Sequence, residues 1–368
     1  MIFRISRISN ASPIVGALAL LLLAATRHLA AGALRPILIL LIAAAIGGIF
    51  VARSISFTTA FRDLIETGDG TRLAGLLPIA AVAATAIVPI CALDPDYTLF
   101  QAPIGLPLIG GAALFGIGMQ LANGCGSGTL CSAGDGSRRM WIALPCFCLG
   151  GVLGSLLLPA ALDLPSLPSF ALGEHLGPVA GLLATWVAIL ALGTLLLRGR
   201  RPPNLRPALL VGLLAAALFL VARQPWGITW GLTLWGARAI SAVGIDLTAA
   251  RFWRWDGPAA DLAATPFFAV PSLMDIGLLS GAILASALPG RSHHHPWPSL
   301  RGLIGAAIGG IVMGIGARLS SGCNIGAMIG GMASGSLHGF VWCFAVLPGC
   351  WLGVRLRPLV GLSTRAAP

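Results

Sequence analysis

The chain has 368 residues, of which 57% are hydrophobic and 10% are charged, and its mean hydropathy is +0.92. This balance excludes an ordinary soluble domain and predicts a polytopic membrane protein. All 23 basic side chains are arginines, and with 12 acidic residues they give a net charge of +11. The arginines lie in loops between apolar runs, so the positive-inside rule explains them better than a nucleic-acid-binding role does.

Residues 1–33 open the chain with Arg4 and Arg7 before an apolar stretch. A signal peptide has this form, but in a polytopic chain the segment is better interpreted as an extra first membrane helix. Further apolar runs follow near 35–52, 73–93, 104–122, 140–162, 176–197, 208–222, 226–245, 269–289, 301–320 and 339–356. Several of them reach the roughly 20 residues that cross a bilayer.

The distribution of charge predicts the sidedness of these runs. The arginine cluster at 198–206 is expected in the cytoplasm, and the acidic loops at 94–101 and 163–175 are expected outside. If every later run crosses, Arg355 and Arg357 lie outside, against the rule. If one segment near 208–245 does not cross, the two halves are inverted and these arginines return to the cytoplasm. The second arrangement is favoured.

Two segments of the chain end in the same phrase. Residues 111–128 read GAALFGIGMQLANGCGSG and residues 309–326 read GGIVMGIGARLSSGCNIG, with 8 of 18 positions identical at a shift of 198. Such a match predicts an internal repeat. Repeated halves with broken hydrophobic segments at matching positions indicate the binding site of a transporter.

The predicted fold class is therefore all-α, a polytopic transmembrane bundle with two internal repeats and short re-entrant helices that meet at the centre. The short elements are expected near 54–66, 124–137, 252–263 and 322–336, where the chain is too polar and too short to span. The chain divides into an N-terminal extra helix (1–33), repeat 1 (34–162), connecting segments (163–225), repeat 2 (226–358) and a C-terminal tail (359–368).

The repeated Gly-Cys turns are the candidate binding site. Glycines let consecutive backbone N–H groups point into one concavity, and a helix that begins there adds its positive N-terminal end. Two such elements would form an anion site that contains two thiols. Close helix packing by glycine, with cysteine as filler, is the alternative for a single Gly-Cys pair. The predicted ligand-contacting residues are Cys125, Cys323, Gly124, Gly126, Ser127, Gly128, Gly322, Asn324 and Gly326.

Sulfur chemistry sets the expected ligand. A thiol is soft and a weak S–H donor, which favours a sulfur-bearing ligand over a hard oxyanion. Redox pairing of Cys125 with Cys131 is a competing chemistry, although its spacing is not of the thioredoxin type. No histidine or acid accompanies Cys125 or Cys323, so neither a metal site nor a cofactor is expected, and metal binding by His293–His295 is disfavoured.

Three arginines are candidates for an electrostatic role in an anion path: Arg62, Arg238 and Arg318. Arg238 and Arg318 lie within apolar runs, where an ionisable side chain has a functional or a pairing explanation. The alternative for Arg238 is an ion pair with Asp275 that holds two helices together. Arg62 borders the first short element, and it can snorkel to the interface or steer an anion inward.

The motifs GIGMQLANGCGSGTL, GIGARLSSGCNIGAM, RSISFTTAFRDL and QPWGITWGLTLWGA resemble the YeeE/YedE family of bacterial inner-membrane proteins, from about Leu34 to about Pro358. The resemblance implies thiosulfate uptake, other members being tied to sulfur or selenium supply. It also implies an hourglass-like fold with Cys125 and Cys323 along the passage. A soluble TusA-like sulfur-carrier protein is a partner that the resemblance leaves open. Relatives carry a third cysteine where this chain has Ser56.

These observations together predict an inner-membrane permease, not an enzyme. Its expected substrate is a small sulfur-containing anion, with thiosulfate favoured, passed by hydrogen bonds between Ser56, Cys125 and Cys323. The alternatives are a transporter of another sulfur or selenium species and, in a different class, a membrane thiol oxidoreductase. A helical scaffold that recruits sulfur-carrier proteins leaves the paired Gly-Cys turns unexplained.

Overall fold

The computed structural model of the protein describes residues 16–18, 21–22, 25, 33–265, 269–288 and 296–363. Over these residues the chain is almost entirely helical, which confirms the predicted all-α class. The helices are α1 Leu34–Ala52, α2 Phe57–Thr67, α3 Thr71–Ala74, α4 Pro78–Leu93, α5 Leu106–Ala122, α6 Gly126–Gly134, α7 Arg138–Ala161, α8 Leu172–Leu176, α9 Pro178–Leu197, α10 Arg206–Ala222, α11 Thr229–Ala242, α12 Asp256–Ala263, α13 Val270–Ser286, α14 Leu300–Leu319, α15 Gly331–Ala333 and α16 Leu337–Leu356.

Short irregular elements complete the described chain. A π-helix covers Asn324–Gly330, and 3₁₀ turns cover Leu247–Ala249, Arg251–Arg254 and Arg357–Val360. Two two-residue strands, β1 (Ile104–Gly105) and β2 (Ser166–Leu167), pair antiparallel. The predicted helix within 1–33 and the His293–His295 run lie outside the described residues, apart from seven positions between 16 and 33 inclusive.

Local sequence signals set the ends of these helices. Ser56 precedes α2, and its side chain accepts a hydrogen bond from the Thr59 N–H, while Gly68 ends the helix at a φ of 68°. Proline stands in the first two positions of α4, α5, α9, α10 and α13, where its missing N–H has no intrahelical role. The elements therefore begin and end where the sequence punctuates them.

In the described part of the chain, seven helical segments are long and apolar enough to cross a membrane. They are Leu34–Thr67, Thr71–Leu93, Leu106–Gly134, Arg138–Ala161, Pro178–Leu197, Leu300–Ala333 and Leu337–Val360. Arg206–Ala222 and Val270–Ser286 are shorter apolar helices. The protein is thus a multi-pass membrane protein. Helix α11, within the run predicted at 226–245, has only 14 residues, about 21 Å of helix at 1.5 Å per residue.

Helices α5 and α14 cross at the centre through the repeated glycines. A Cβ built on Gly111 would lie 2.9 Å from the Gly316 carbonyl oxygen, and one on Gly118 would lie 2.6 Å from that of Gly309. The reverse distances are 2.6 Å from Gly316 to Gly111 and 2.8 Å from Gly309 to Gly118. Early positions of one helix meet late positions of the other, so the two helices run antiparallel. Only glycine allows this backbone approach.

The remaining helices surround this crossing. Helix α7 packs along α14 and α16 packs along α5, while α13 packs on α1 and α10 packs on α4 and α1. A shift of 198 residues carries the α5–α6–α7 order onto α14, the π-helix with α15, and α16. The same shift carries Gly111 onto Gly309 and Gly118 onto Gly316. The contacts cross these pairs, because Gly111 meets Gly316 and Gly118 meets Gly309. The internal repeat stays a prediction, and this reciprocal crossing supports it.

Candidate functional site

Cys125 lies at the N-terminus of the short helix α6. Its extended backbone (φ −88°, ψ −176°) makes it the N-cap residue, and its Sγ accepts a hydrogen bond of 3.3 Å from the Gly128 N–H. The Ser127 hydroxyl is 3.4 Å from the same sulfur. Cys125 is 1% exposed and Ser127 is fully buried. The thiol is therefore held at the positive end of a helix, inside the protein.

Cys323 has the same position before the second short element. It precedes the π-helix with an extended backbone (φ −109°, ψ −168°) and is fully buried. Its side chain makes no capping hydrogen bond. Gly322 before it has a φ of 148°, and Ser321 has a φ of 62°. The turn needs these unusual conformations to point the helix start inward.

The two cysteine elements meet. A Cβ built on Gly126 would lie 3.3 Å from Cys323 Sγ and 3.8 Å from Thr229 Cγ2. The Cys323 thiol thus lies against the first residue of α6, next to Cys125 in the chain. The first N–H groups of both short helices have no intrahelical acceptors. Two helix N-termini and two thiols are thus brought to one place, and their role as a binding site stays a prediction.

Buried polar atoms at this place have no partners within the protein. Thr129 Oγ1 and both amide atoms of Asn324 are buried without a hydrogen-bond partner among the described residues. Unpaired buried polar groups are costly and need an explanation. A bound polar ligand would supply the missing partners. The thiols, the Asn324 amide nitrogen and the Thr129 hydroxyl can donate hydrogen bonds to a ligand, and Asn324 Oδ1 can accept one.

A cavity of about 310 Å³ reaches the site from one side. The loops at 98–100 and 224–227 line it, and it extends to Thr229 and Gly326, which are both buried. Gly326 is three residues after Cys323, and Thr229 approaches Gly126. Residues 98–100 belong to the loop that the charge distribution places outside. The cavity therefore extends to residues on both sides of Cys323 in the chain, Ser321 and Gly326.

Arg318 lines this cavity beside Ser321. Its guanidinium carbon lies 4.7 Å from the ring centre of Trp230 and 5.0 Å from that of Phe252. Cation–π contacts hold the charge in place without neutralising it. Among the described residues Arg318 has no carboxylate partner within salt-bridge distance. The geometry suits the predicted role, a positive potential along the anion path.

The contacts of Arg238 differ from the predicted alternative, an ion pair with Asp275. Its Nη2 donates to the backbone carbonyls of Asp261 (2.7 Å) and Ala264 (2.6 Å) at the end of α12. The alternative ion pair with Asp275 is therefore wrong. Asp275 is fully buried and neither of its oxygens has a partner in the described chain. The physical reason is that the C-terminal end of α12 offers free carbonyl acceptors within reach, and these take the Nη2 donors of Arg238.

A group of three arginines lies at the other end of the path, around Asn123, which precedes Gly124. Arg357 donates to Asn123 Oδ1 at 3.0 Å, and Arg62 does so at 3.5 Å. Arg139 donates to the carbonyls of Leu121 and Ala122. Only Arg62 was predicted for the site. Arg139 and Arg357 follow the general signal that cations cap helix C-termini, but sequence alone does not show which helix end they reach.

Ser56 does not contact Cys125 or Cys323. Its hydroxyl bonds Thr59, and it lines a separate cavity of about 230 Å³ with Arg53, Arg72 and Asn204. Helix α2 packs on α16 and α5, and Gln120 of α5 donates to the Thr58 carbonyl. The structure thus does not bring Ser56 together with Cys125 and Cys323.

The other cysteines pack in the apolar interior. All eight are free thiols in the described chain, and Cys343 and Cys350 are buried in α16. Cys146 is partly exposed and Cys148 is buried, as expected for two positions on different helix faces. No group of three or more metal-ligating side chains occurs in the described ranges.

Comparison with known proteins places this architecture. The family described as "Sulphur transport" matches residues 53–352, which include both short cysteine elements and the whole cavity lining. The chain belongs to this family. The match agrees with the likeness to YeeE/YedE proteins that the motifs predicted.

Two curated relatives are similar over part of their length. The "Probable transporter YedE" of Escherichia coli (strain K12) is 32% identical over 151 residues, 39% of this chain and 36% of that protein. The protein of the same name from Salmonella typhimurium is 29% identical over 149 residues, 40% of this chain and 36% of that protein. The match spans about a third of the length of each of these curated relatives. Both relatives are named as probable transporters, and the family is described by sulphur transport.

Proposed function

We propose that this protein is a permease that imports thiosulfate across the bacterial inner membrane without covalent chemistry. The observation that carries the proposal is the contact between Cys323 Sγ and Gly126, which brings the thiols and positive ends of two short helices together. The Escherichia coli relative supports the choice of membrane. Thiosulfate has a terminal sulfur for the thiols and oxygens for the amide, hydroxyl and backbone donors.

Protonated thiols suit this ligand. A thiol that is buried with no cationic partner stays neutral, so it donates its S–H and does not repel a dianion. Sulfur sheds water at lower cost than a carboxylate or amine does, because its hydrogen bonds to water are weak. The proposal therefore assigns the first contact of the incoming ion to Cys323 and the next to Cys125.

The charges along the path point the ion inward. Arg318 gives the outer cavity a positive potential without a carboxylate partner. Beyond Cys125 the ion reaches Asn123 and the arginines Arg62, Arg139 and Arg357. Helix-end charges alone would trap a dianion, so release requires that attraction continues on the far side. Arg318 thus attracts the ion on one side of the thiols, and the three arginines near Asn123 attract it on the other side.

A growth test checks the proposal. The gene is expressed in bacterial cells that lack other thiosulfate and sulfate uptake, with thiosulfate as the only sulfur source. Growth is expected with the wild type and not with Cys323→Ala, while both grow on cysteine. Growth of neither strain on thiosulfate, with normal amounts of protein in the membrane, would contradict it. Growth on another sulfur species, and not on thiosulfate, would assign that ligand instead.

The same strains separate the rival class. A membrane thiol oxidoreductase that used Cys125 and Cys131 would need a disulfide between them during turnover. Alkylation and mass spectrometry after growth on thiosulfate are expected to find both thiols reduced. Partnership with a TusA-like carrier is a further proposal from the resemblance, and deletion of such a carrier tests it in the same growth assay.

A further inference from the structure

Asp275 is an acid in the membrane interior that the proposed path does not use. It lies in the middle of α13 and is fully buried. Neither carboxyl oxygen has a hydrogen-bond partner among the residues that the structure describes. A buried carboxylate without compensation is very unfavourable in a membrane, so this side chain is stable there only when it carries a proton.

On the described helices that pack against α13, no arginine forms an ion pair with Asp275. Helix α13 packs on α1, α6 and α11. Arg35 of α1 donates to carbonyls of Val221 and Ala222, and Arg238 of α11 donates to carbonyls of α12. The charged or titratable groups that remain near the carboxyl are thiols: Cys148 and Cys323 lie close enough to interact with it electrostatically, and α6 contributes Cys131.

The carboxyl lies directly behind the wall of the outer cavity. Met274 and Pro271 of α13 line that cavity, as do Thr229 and Trp230 of α11. Asp275 Oδ2 occupies the space that a Cβ at Gly231 would need. Glycine at position 231 therefore leaves room for the carboxyl between the two helices, one residue from the lining on each of them.

An anion that enters this cavity changes the proton affinity of the carboxyl. A negative charge close by stabilises the protonated acid relative to the carboxylate, and by linkage a protonated acid binds the anion better than a carboxylate does. Cys323 is near both the cavity end and Asp275. Anion and proton are thus expected to bind together and leave together.

We infer that Asp275 is the proton site of a thiosulfate–proton symporter. The side chain carries its proton while it is buried as described here. It releases that proton to water on the cytoplasmic side when the anion leaves, and it takes another proton from cavity water as the next anion binds. Import of a dianion opposes an inside-negative potential, which reduces accumulation about fifty-fold per elementary charge at 100 mV. Each proton that moves with the anion cancels one of these charges. The inference rests on the proposed thiosulfate permease.

Proteoliposomes test the inference with radiolabelled thiosulfate and a pH dye. Wild-type protein is expected to accumulate thiosulfate when the outside is one pH unit more acidic, by about tenfold per coupled proton. Thiosulfate added outside should also drive protons inward, which the dye reports without any variant. Asp275→Asn should equilibrate thiosulfate but lose both accumulation and proton flux. Ser280→Ala, a buried position on the same helix whose hydroxyl also has no partner, should behave as the wild type.

The outcomes separate the two proposals. Thiosulfate uptake by the wild type without proton movement, or gradient-driven accumulation by Asp275→Asn equal to wild type, would overturn the proton site and leave the permease. No thiosulfate uptake by the wild type under any gradient would overturn the permease itself. If Asp275→Asn does not fold, Asp275→Glu should still show coupled proton flux, and its loss in a folded protein would count against the inference.

Discussion

At the scale of single residues, the two cysteines of the site use their sulfur atoms differently. Cys125 caps α6 through its sulfur, and Cys323 leaves its sulfur without a capping bond against Gly126. Serine at position 125 could cap the helix as well or better, because hydroxyls are stronger acceptors than thiols. The capping role therefore does not explain cysteine here, whereas the proposed soft contact with a sulfur-bearing ligand would.

Substitutions of Arg238 and Arg318 should have different effects on transport and on stability. Arg318→Gln removes an unneutralised charge next to the cavity and is expected to raise the KM for uptake about tenfold. Arg238→Gln removes bonds to the carbonyls of α12 and should lower thermal stability with little change in KM. Uptake kinetics and detergent unfolding measure both variants. An equal rise in KM for Arg238→Gln would return it to the anion path.

Ser56 gives a prediction of intermediate size. Ser56→Ala loses the N-cap of α2, which typically stabilises a helix by about 1 kcal/mol, so uptake should fall less than on loss of Cys125. Ser56→Cys keeps a side chain that can cap α2, and because Ser56 does not contact the two cysteines it should retain thiosulfate uptake. Transport assays on both variants check this. Loss of thiosulfate uptake in a folded Ser56→Cys protein would contradict the separation of position 56 from the path.

The central crossing of α5 and α14 decides the geometry at the scale of elements. Each helix leads into one cysteine turn, so the distance between the helices sets the distance between the turns. Four glycines make that distance short: Gly111 and Gly118 on α5, Gly309 and Gly316 on α14. Larger residues would separate the helices and with them the two thiols.

Glycine substitutions test this crossing and its symmetry together. Gly118→Leu and Gly316→Leu should each destabilise the protein by a similar amount, about 1–3 kcal/mol or more, because both force backbones apart. Gly110→Leu is the matched control, since Gly110 has nothing within 4 Å of its Cβ direction. Unfolding in detergent is the measurement. A stable Gly118→Leu protein beside an unfolded Gly316→Leu protein would contradict the equivalence of the two positions.

Sequence showed these elements better than it showed their contacts. The repeated phrase predicted both short helices and both cysteines, because glycine punctuation and apolar length are local signals. It did not predict that Arg238 binds α12, that Arg139 and Arg357 bind the C-terminal end of α5, or that Asp275 has no partner among the described residues. Those contacts depend on which helices pack together across long separations in sequence, and local patterns in a single sequence do not encode that packing.

At the scale of the whole molecule, the prediction concerns the membrane topology of the two halves. The antiparallel α5–α14 crossing and the 14-residue length of α11 favour inverted halves. In that arrangement Arg355 and Arg357 lie in the cytoplasm and the 98–100 loop lies outside. A C-terminal fluorescent reporter should therefore be active in the cytoplasm and a periplasmic phosphatase reporter at the same site should not. The opposite result would contradict the inverted arrangement.

The most direct test of the central claim is uptake of labelled thiosulfate into proteoliposomes by the wild type, Cys125→Ala, Cys323→Ala and the packing control Cys343→Ala. We predict saturable uptake by the wild type and Cys343→Ala. Either site variant should lose at least about tenfold, the effect of about 1.4 kcal/mol of lost interaction. All four proteins should be inserted in similar amounts. Wild-type rates in both Cys125→Ala and Cys323→Ala would contradict the claim that thiosulfate passes between these two thiols.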